Sequence, residues 1–100
     1  MRHVEFVVIL DDGVRKRHIH DIEKGRLIYF AVQLETKIDK EWRTVIRYDN
    51  AHGKEHIDKY YRNGRKEKIN LDMDFKTVLN LGDWDISINW EKYINNYKGI

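Results

Sequence analysis

Over the first seventy positions the chain alternates apolar and polar residues with a period of two. Beyond them the apolar residues recur every three or four positions. The first pattern is that of strands with one buried face and the second that of a helix. Glu5 to Leu10 is a β-branched run closed by Asp11-Asp12-Gly13, a hairpin signal. Its partner, Val14 to His20, places Arg15, Arg17 and Ile19 on one face and Lys16, His18 and His20 on the other, a polarity that predicts an edge strand or a loop. After Lys24-Gly25 comes the strongest alternation, Arg26 to Ile38. Ile28, Phe30, Val32, Leu34 and Ile38 share one face, and Tyr29, Ala31, Gln33 and Glu35 the other. Asp39-Lys40 turns this strand into Glu41 to Asp49, making a long hairpin.

Asn50 to Glu55 has turn chemistry, with Asn50 and Gly53 able to take positive φ. His56 to Arg62 and Arg65 to Leu71 flank Asn63-Gly64, the dipeptide favoured in two-residue type I′ turns. From Asp72 onward Phe75, Val78, Leu79, Gly82, Ile86, Trp90, Tyr93 and Tyr97 follow helical spacing, with Asp72 or Asp74 as the cap. Trp84, Ile86, Ile88 and Trp90 also alternate as a strand would. Length and the charged Glu91-Lys92 pair favour a helix, broken near Gly82, which costs about 1 kcal/mol relative to Ala. The expected architecture is α+β: one domain over residues 1–100, with a single twisted antiparallel sheet of about five strands. The C-terminal helix covers one face and the other face stays wet.

Composition narrows the function classes. The absence of cysteine excludes disulfides and zinc–thiolate sites, and no leader pattern or long apolar run is present, so the expectation is a cytoplasmic protein without a membrane span. Zero proline, twelve isoleucines and many Lys, Glu and Asp suit either a thermophile with surface ion-pair networks or an AT-rich genome. Neither a nucleophile elbow nor a phosphate-binding glycine loop occurs, which argues against common hydrolases and NTPases. His18 and His20, with His3 or with His52 and His56, offer only a weak metal pattern. The sequence therefore predicts no metal and no cofactor.

Net charge is +2, but its distribution is uneven. Lys54 to Lys68 holds six basic residues against three acidic, and Asp72 to the end five acidic against three basic. A basic sheet end carrying Tyr48, Tyr60 and Tyr61 suits RNA or single-stranded DNA, because cations neutralise phosphate and aromatic faces stack on bases. A solvated charged surface is the plainer alternative. His52 and His56, beside a phosphate, have the chemistry of a general base and acid for metal-free RNA cleavage, with Arg47, Lys54 or Arg65 stabilising the transition state. In the alternative the histidines only shape the turn. Leu81, Trp84 and Ile88 lie off the main helical stripe and offer a surface for a homodimer or a protein partner.

Val45-Ile46-Arg47-Tyr48-Asp49-Asn50-Ala51-His52-Gly53, then His56 and Tyr60-Tyr61-Arg62-Asn63-Gly64-Arg65, resembles the TumE-like toxins of prokaryotic toxin–antitoxin pairs across residues 26 to 95. The resemblance implies a small cytoplasmic protein that acts on RNA and pairs with a helix-turn-helix antitoxin. TumE-like sequences carry a denser histidine cluster after Tyr-Asp-Asn-Ala, where only His52 and His56 stand here. On this reading the site comprises His52 and His56 as catalytic residues, and Arg47, Tyr48, Asp49, Asn50, Lys54, Tyr60 and Arg65 as nucleic-acid contacts.

Overall fold

A computed structural model describes all residues, Met1 to Ile100. Six strands, β1 (Arg2–Asp11), β2 (Val14–Glu23), β3 (Arg26–Ile38), β4 (Glu41–Asp49), β5 (His56–Tyr60) and β6 (Lys66–Asn70), precede one helix, α1 (Phe75–Lys98). The strands form one antiparallel sheet in chain order, so every connection is a hairpin and none crosses over. The expected α+β architecture is the observed one, with six strands where about five were expected.

β2 is not the edge strand or loop that its polarity suggested. It pairs with β1 along Arg2↔Ile22 to Asp11↔Val14 and with β3 along Val14↔Thr36 to Glu23↔Arg26, and is therefore internal rather than an edge. Its polarity reflects polar partners on both faces of the sheet. The edges are β1 and β6, and on β1 Phe6, Val7, Val8 and Ile9 are exposed.

Phe30, Val32 and Leu34 of β3 and Ile46 and Tyr48 of β4 form the buried face, as the alternation predicts. Val78, Ile86 and Ile94 of α1 pack on them. The helix runs back along β4, from Gly82 beside Tyr48 to Tyr93 beside the groove that Val45 and Ile46 line. Asp74 caps it by accepting from the Thr77 amide at 3.4 Å and from the Thr77 hydroxyl, and Gly99 ends it in the left-handed region. α1 passes through Gly82 unbroken, and residues 83–90 are helical rather than extended. There the missing Cβ leaves room for Val32 and Tyr48, and close packing outweighs the low helix propensity of glycine.

The β5–β6 connection also differs from the two-residue turn expected. β5 stops at Tyr60, Tyr61 N–H donates to Arg65 C=O (2.9 Å), and Gly64 N–H donates to Tyr61 C=O (3.0 Å). Only Gly64, and not Asn63, has positive φ. The Asn63 side chain instead accepts from the Arg65 amide at 2.9 Å, a local bond that competes with the tight turn.

Candidate functional site

On the sheet face away from α1, side chains two apart on each strand line up across the register. Arg47 and Asp49 of β4 stand opposite Asp58 and His56 of β5. His56 Nδ1 bonds to Lys54 C=O at 2.8 Å. A carbonyl only accepts, so Nδ1 carries a proton. His56 Nε2 then meets two carboxylates, Asp58 Oδ2 at 3.2 Å and Asp49 Oδ1 at 2.7 Å. The shorter contact is an ion-pair contact, and neither Asp49 Oδ1 nor Asp58 Oδ1 has a hydrogen-bond partner. Single donor atoms of Asp49, His56 and Asp58 lie within 4.8 Å of one another, a donor set of one nitrogen and two oxygens that could hold a cation.

The chain of polar contacts continues across the sheet. Arg47 Nε donates to Gln33 Oε1 at 2.7 Å, and Gln33 Nε2 donates to Glu35 Oε2. Glu35 also accepts from Arg15, and from Arg17 at 3.2 Å, while Arg17 reaches Glu5 at 2.8 Å. Burial pushes the Glu35 carboxyl up, but hydrogen bonds from Arg15 and Gln33 and the charges of Arg17 and Arg15 outweigh it, so the net direction is down. The alternation suggested that this face stays wet, and it does not. Gln33, Glu35, Asp49, His56 and Asp58 are buried in it. Period-two patterning shows which residues share a face, not whether long neighbours cover them.

A second polar cluster lies on the helix side of β2. Lys16 Nζ donates to Asp83 and to Ser87 Oγ (2.9 Å), His18 Nε2 lies 3.1 Å from Asp83 Oδ1, and His18 Nδ1 lies 3.2 Å from His20 Nε2. Phe6 stacks on His18 with centroids 4.6 Å apart. Burial is the main reason that His18 and His20 titrate below the ordinary histidine value; Asp83 opposes it at both rings. His3 binds Asp21 and Glu5 instead and does not join them.

The residues expected to form one site fall into two groups. Tyr48, Asp49, Asn50 and His56 are buried. Tyr48 points towards α1 and donates to Asp85 Oδ2 at 2.6 Å, and Asn50 accepts from Phe30 N–H (2.9 Å) and donates to Ile28 C=O (3.1 Å), closing the end of the β3–β4 ladder. These are fold-building contacts, and they leave the Tyr48 ring unavailable for stacking on a base. His52, Lys54 and Arg65 are exposed. His52 sits in the turn Ala51–Gly53 at φ 63°, and no hydrogen bond or ion pair links it to His56. Arg47 and Tyr60 come together with the guanidinium 6.0 Å from the ring centroid, and Arg65 lies 4.2 Å from that of Tyr61.

Asp58 and Tyr61, which the sequence places beside the histidines and on the basic sheet end without a role in the site, and Tyr93 and Tyr97, which it reads only as part of the helical stripe, complete these arrangements. The i, i+2 spacing of His56 and Asp58 and the i, i+4 spacing of Tyr93 and Tyr97 were the available signals. Tyr60, Tyr61, Tyr93 and Tyr97, with Val45, Ile46, Lys59 and Asn96, line a groove of about 160 Å³ between the end of β5 and the last turns of α1. A shallower depression beside it shares Tyr61, Asn96 and Tyr97 and adds Arg62, Asn63 and Lys98.

Residues 1–99 match a protein family described as a domain of unknown function, DUF7718. The chain belongs to this family. The match takes in all six strands and α1, so the buried triad and the tyrosine groove both lie inside the DUF7718 domain. Comparison with curated proteins and with solved structures gives no match. No helix of the domain is long and apolar enough to cross a membrane.

Proposed function

We propose that this DUF7718 protein binds single-stranded RNA in the groove between the β5–β6 hairpin and the end of α1. The observation that carries the reading is the convergence of Tyr61, Tyr93, Tyr97 and Lys59 in one groove, with the exposed cations Arg62 in the adjoining depression, Arg65 on the Tyr61 ring and Lys66 beside the Tyr60 ring on the opposite side of the same hairpin. Aromatic faces take unstacked bases whatever their sequence, and Lys and Arg neutralise the connecting phosphates. The α1 C-terminus presents carbonyls to this end of the domain, so bases belong at the helix side and phosphates at the hairpin side. The resemblance to TumE-like toxins supports an RNA substrate or ligand and a helix-turn-helix partner.

Binding is favoured over cleavage by the position of His56. Its ring is enclosed and committed to Lys54, Asp49 and Asp58, whereas a general acid or base must reach the proton that it moves. The test is fluorescence anisotropy with labelled single-stranded and duplex RNA and single-stranded DNA in EDTA from pH 5.5 to 8.5, followed by gel analysis of the same RNA. The expected result is salt-sensitive binding of intact single-stranded RNA, reduced in Tyr61→Ala and Arg65→Ala. Cleavage abolished by His52→Ala would replace this reading with a metal-free nuclease. Equal binding of single-stranded DNA would reduce it to a general single-strand binder, and absence of RNA binding at low salt would overturn it.

A further inference from the structure

We infer that Asp49, His56 and Asp58 form a site for one first-row divalent transition-metal ion that clamps β4 to β5. Three observations converge. The donor atoms of the three side chains lie within 4.8 Å of one another, and the residues are 2%, 3% and 4% exposed. Two carboxylate oxygens in this enclosed place, Asp49 Oδ1 and Asp58 Oδ1, have no hydrogen-bond partner. Buried carboxylate oxygens left unpaired are costly, and a cation relieves that cost. Finally, the Lys54 carbonyl at 2.8 Å holds the proton on Nδ1 and turns Nε2 towards the carboxylates, as a backbone carbonyl does behind a metal-bound histidine.

The geometry within the triad points the same way. Donors bonded at about 2.1 Å to one ion lie about 3 Å apart at right angles, as in octahedral coordination, and about 3.4 Å apart at the tetrahedral angle that zinc prefers. His56 Nε2 stands 2.7 Å from Asp49 Oδ1 and 3.2 Å from Asp58 Oδ2. Both separations are those of neighbouring ligands on one ion. The nearest fixed cation is Arg47, 3.8 Å from Asp49 Oδ2 and hydrogen-bonded to Gln33, and no lysine or arginine pairs with Asp58.

One imidazole and two carboxylates select zinc or manganese over calcium, which takes six to eight oxygens. The site occupies the last rung of the β4–β5 ladder, Asp49↔His56, immediately before and after the loop 50–55. An ion here fastens the two ends of that loop. The inference is independent of RNA binding, since the triad and the tyrosine groove share no residue.

The test uses protein stripped with EDTA and dialysed, then titrated with zinc or manganese by calorimetry and thermal melting, with the histidine ring nitrogens followed by NMR on zinc addition. Expected are one saturable site, a rise in Tm, and a shift of His56 Nε2 with its Nδ1–H retained. The Tm rise disappears in Asp49→Asn and Asp58→Asn, which keep side-chain volume, and persists in His20→Gln. A protonated Nε2 that zinc leaves unchanged would overturn the inference in favour of an imidazolium held between two carboxylates. So would a Tm rise undiminished in Asp58→Asn. The wild-type NMR result decides the matter if the variants do not fold.

Discussion

Gly82 of α1 rests against the ring of Tyr48: a Cβ at Gly82 would stand 2.6 Å from Tyr48 Cγ and 2.7 Å from Val32 Cγ1. A glycine that weakens the helix is thus what lets the helix sit on the sheet. Gly82→Ala gains about 1 kcal/mol of helix propensity but forces the α1 backbone or Tyr48 to move, and overpacking costs about 1–3 kcal/mol. The expected outcome is a net loss of stability in chemical denaturation. An increase would show that α1 can lift off the sheet at little cost.

The same tyrosine anchors a buried acid. Tyr48 and Tyr93 both donate to Asp85 Oδ2 at 2.6 Å, and Asn89 donates to Oδ1 at 2.8 Å, with no cation among these partners. Burial, followed by the Asp85 carboxylate, raises both phenols above the ordinary tyrosine value. Tyr48→Phe removes one charged hydrogen bond from a buried carboxylate and should destabilise the fold by about 1.5–3 kcal/mol. A urea midpoint equal to wild type would mean that water or Asn89 compensates fully.

Acid should weaken the fold in two stages. His18 has its pKa lowered in the folded state, mainly by burial, with Lys16 and His20 adding to the effect and Asp83 opposing it. The unfolded chain therefore takes up a proton that the fold refuses, and stability declines as pH falls below the ordinary histidine value of 6.5. Glu35, also lowered, contributes stability that is present above its unfolded value of 4.5 and lost as pH falls through its folded one. His3 is raised by Asp21 and Glu5 and acts in the opposite sense, but it is fully exposed. Urea midpoints at pH 8, 6, 5 and 4 should fall at each step, and His18→Gln should flatten the range from pH 8 to 5. A midpoint that rises towards pH 5 would contradict this.

If bases stack in the tyrosine groove, each lost ring should cost RNA binding about 1–3 kcal/mol, and Tyr61→Phe should retain most of it. Arg65→Ala and Lys66→Ala should instead reduce the slope of affinity against salt concentration. Anisotropy titrations between low and physiological salt separate the two effects. Equal losses in Tyr61→Phe and Tyr61→Ala would point to the hydroxyl rather than the ring.

Strand and helix positions were legible because burial on one face imposes its period directly. Arg26–Ile38, Glu41–Asp49 and the Asp74 cap appear where the pattern puts them. The number of strands and the internal place of β2 were not, because a strand with polar partners on both neighbours has the same composition as a strand exposed at an edge. The candidate site was half legible. The stretch from Arg47 to Asp58 does gather reactive side chains, yet their exposure depends on what lies across the sheet. Local alternation determined that His56 and Asp58 share a face of β5, and Arg47 and Asp49 a face of β4. Only the β4–β5 register brought these residues into one enclosed cluster, and only the docking of α1 placed Tyr93 and Tyr97 in one groove with Tyr61. Periodicity is a property of neighbours in the chain, whereas burial and electrostatics depend on residues that meet only after the chain has folded.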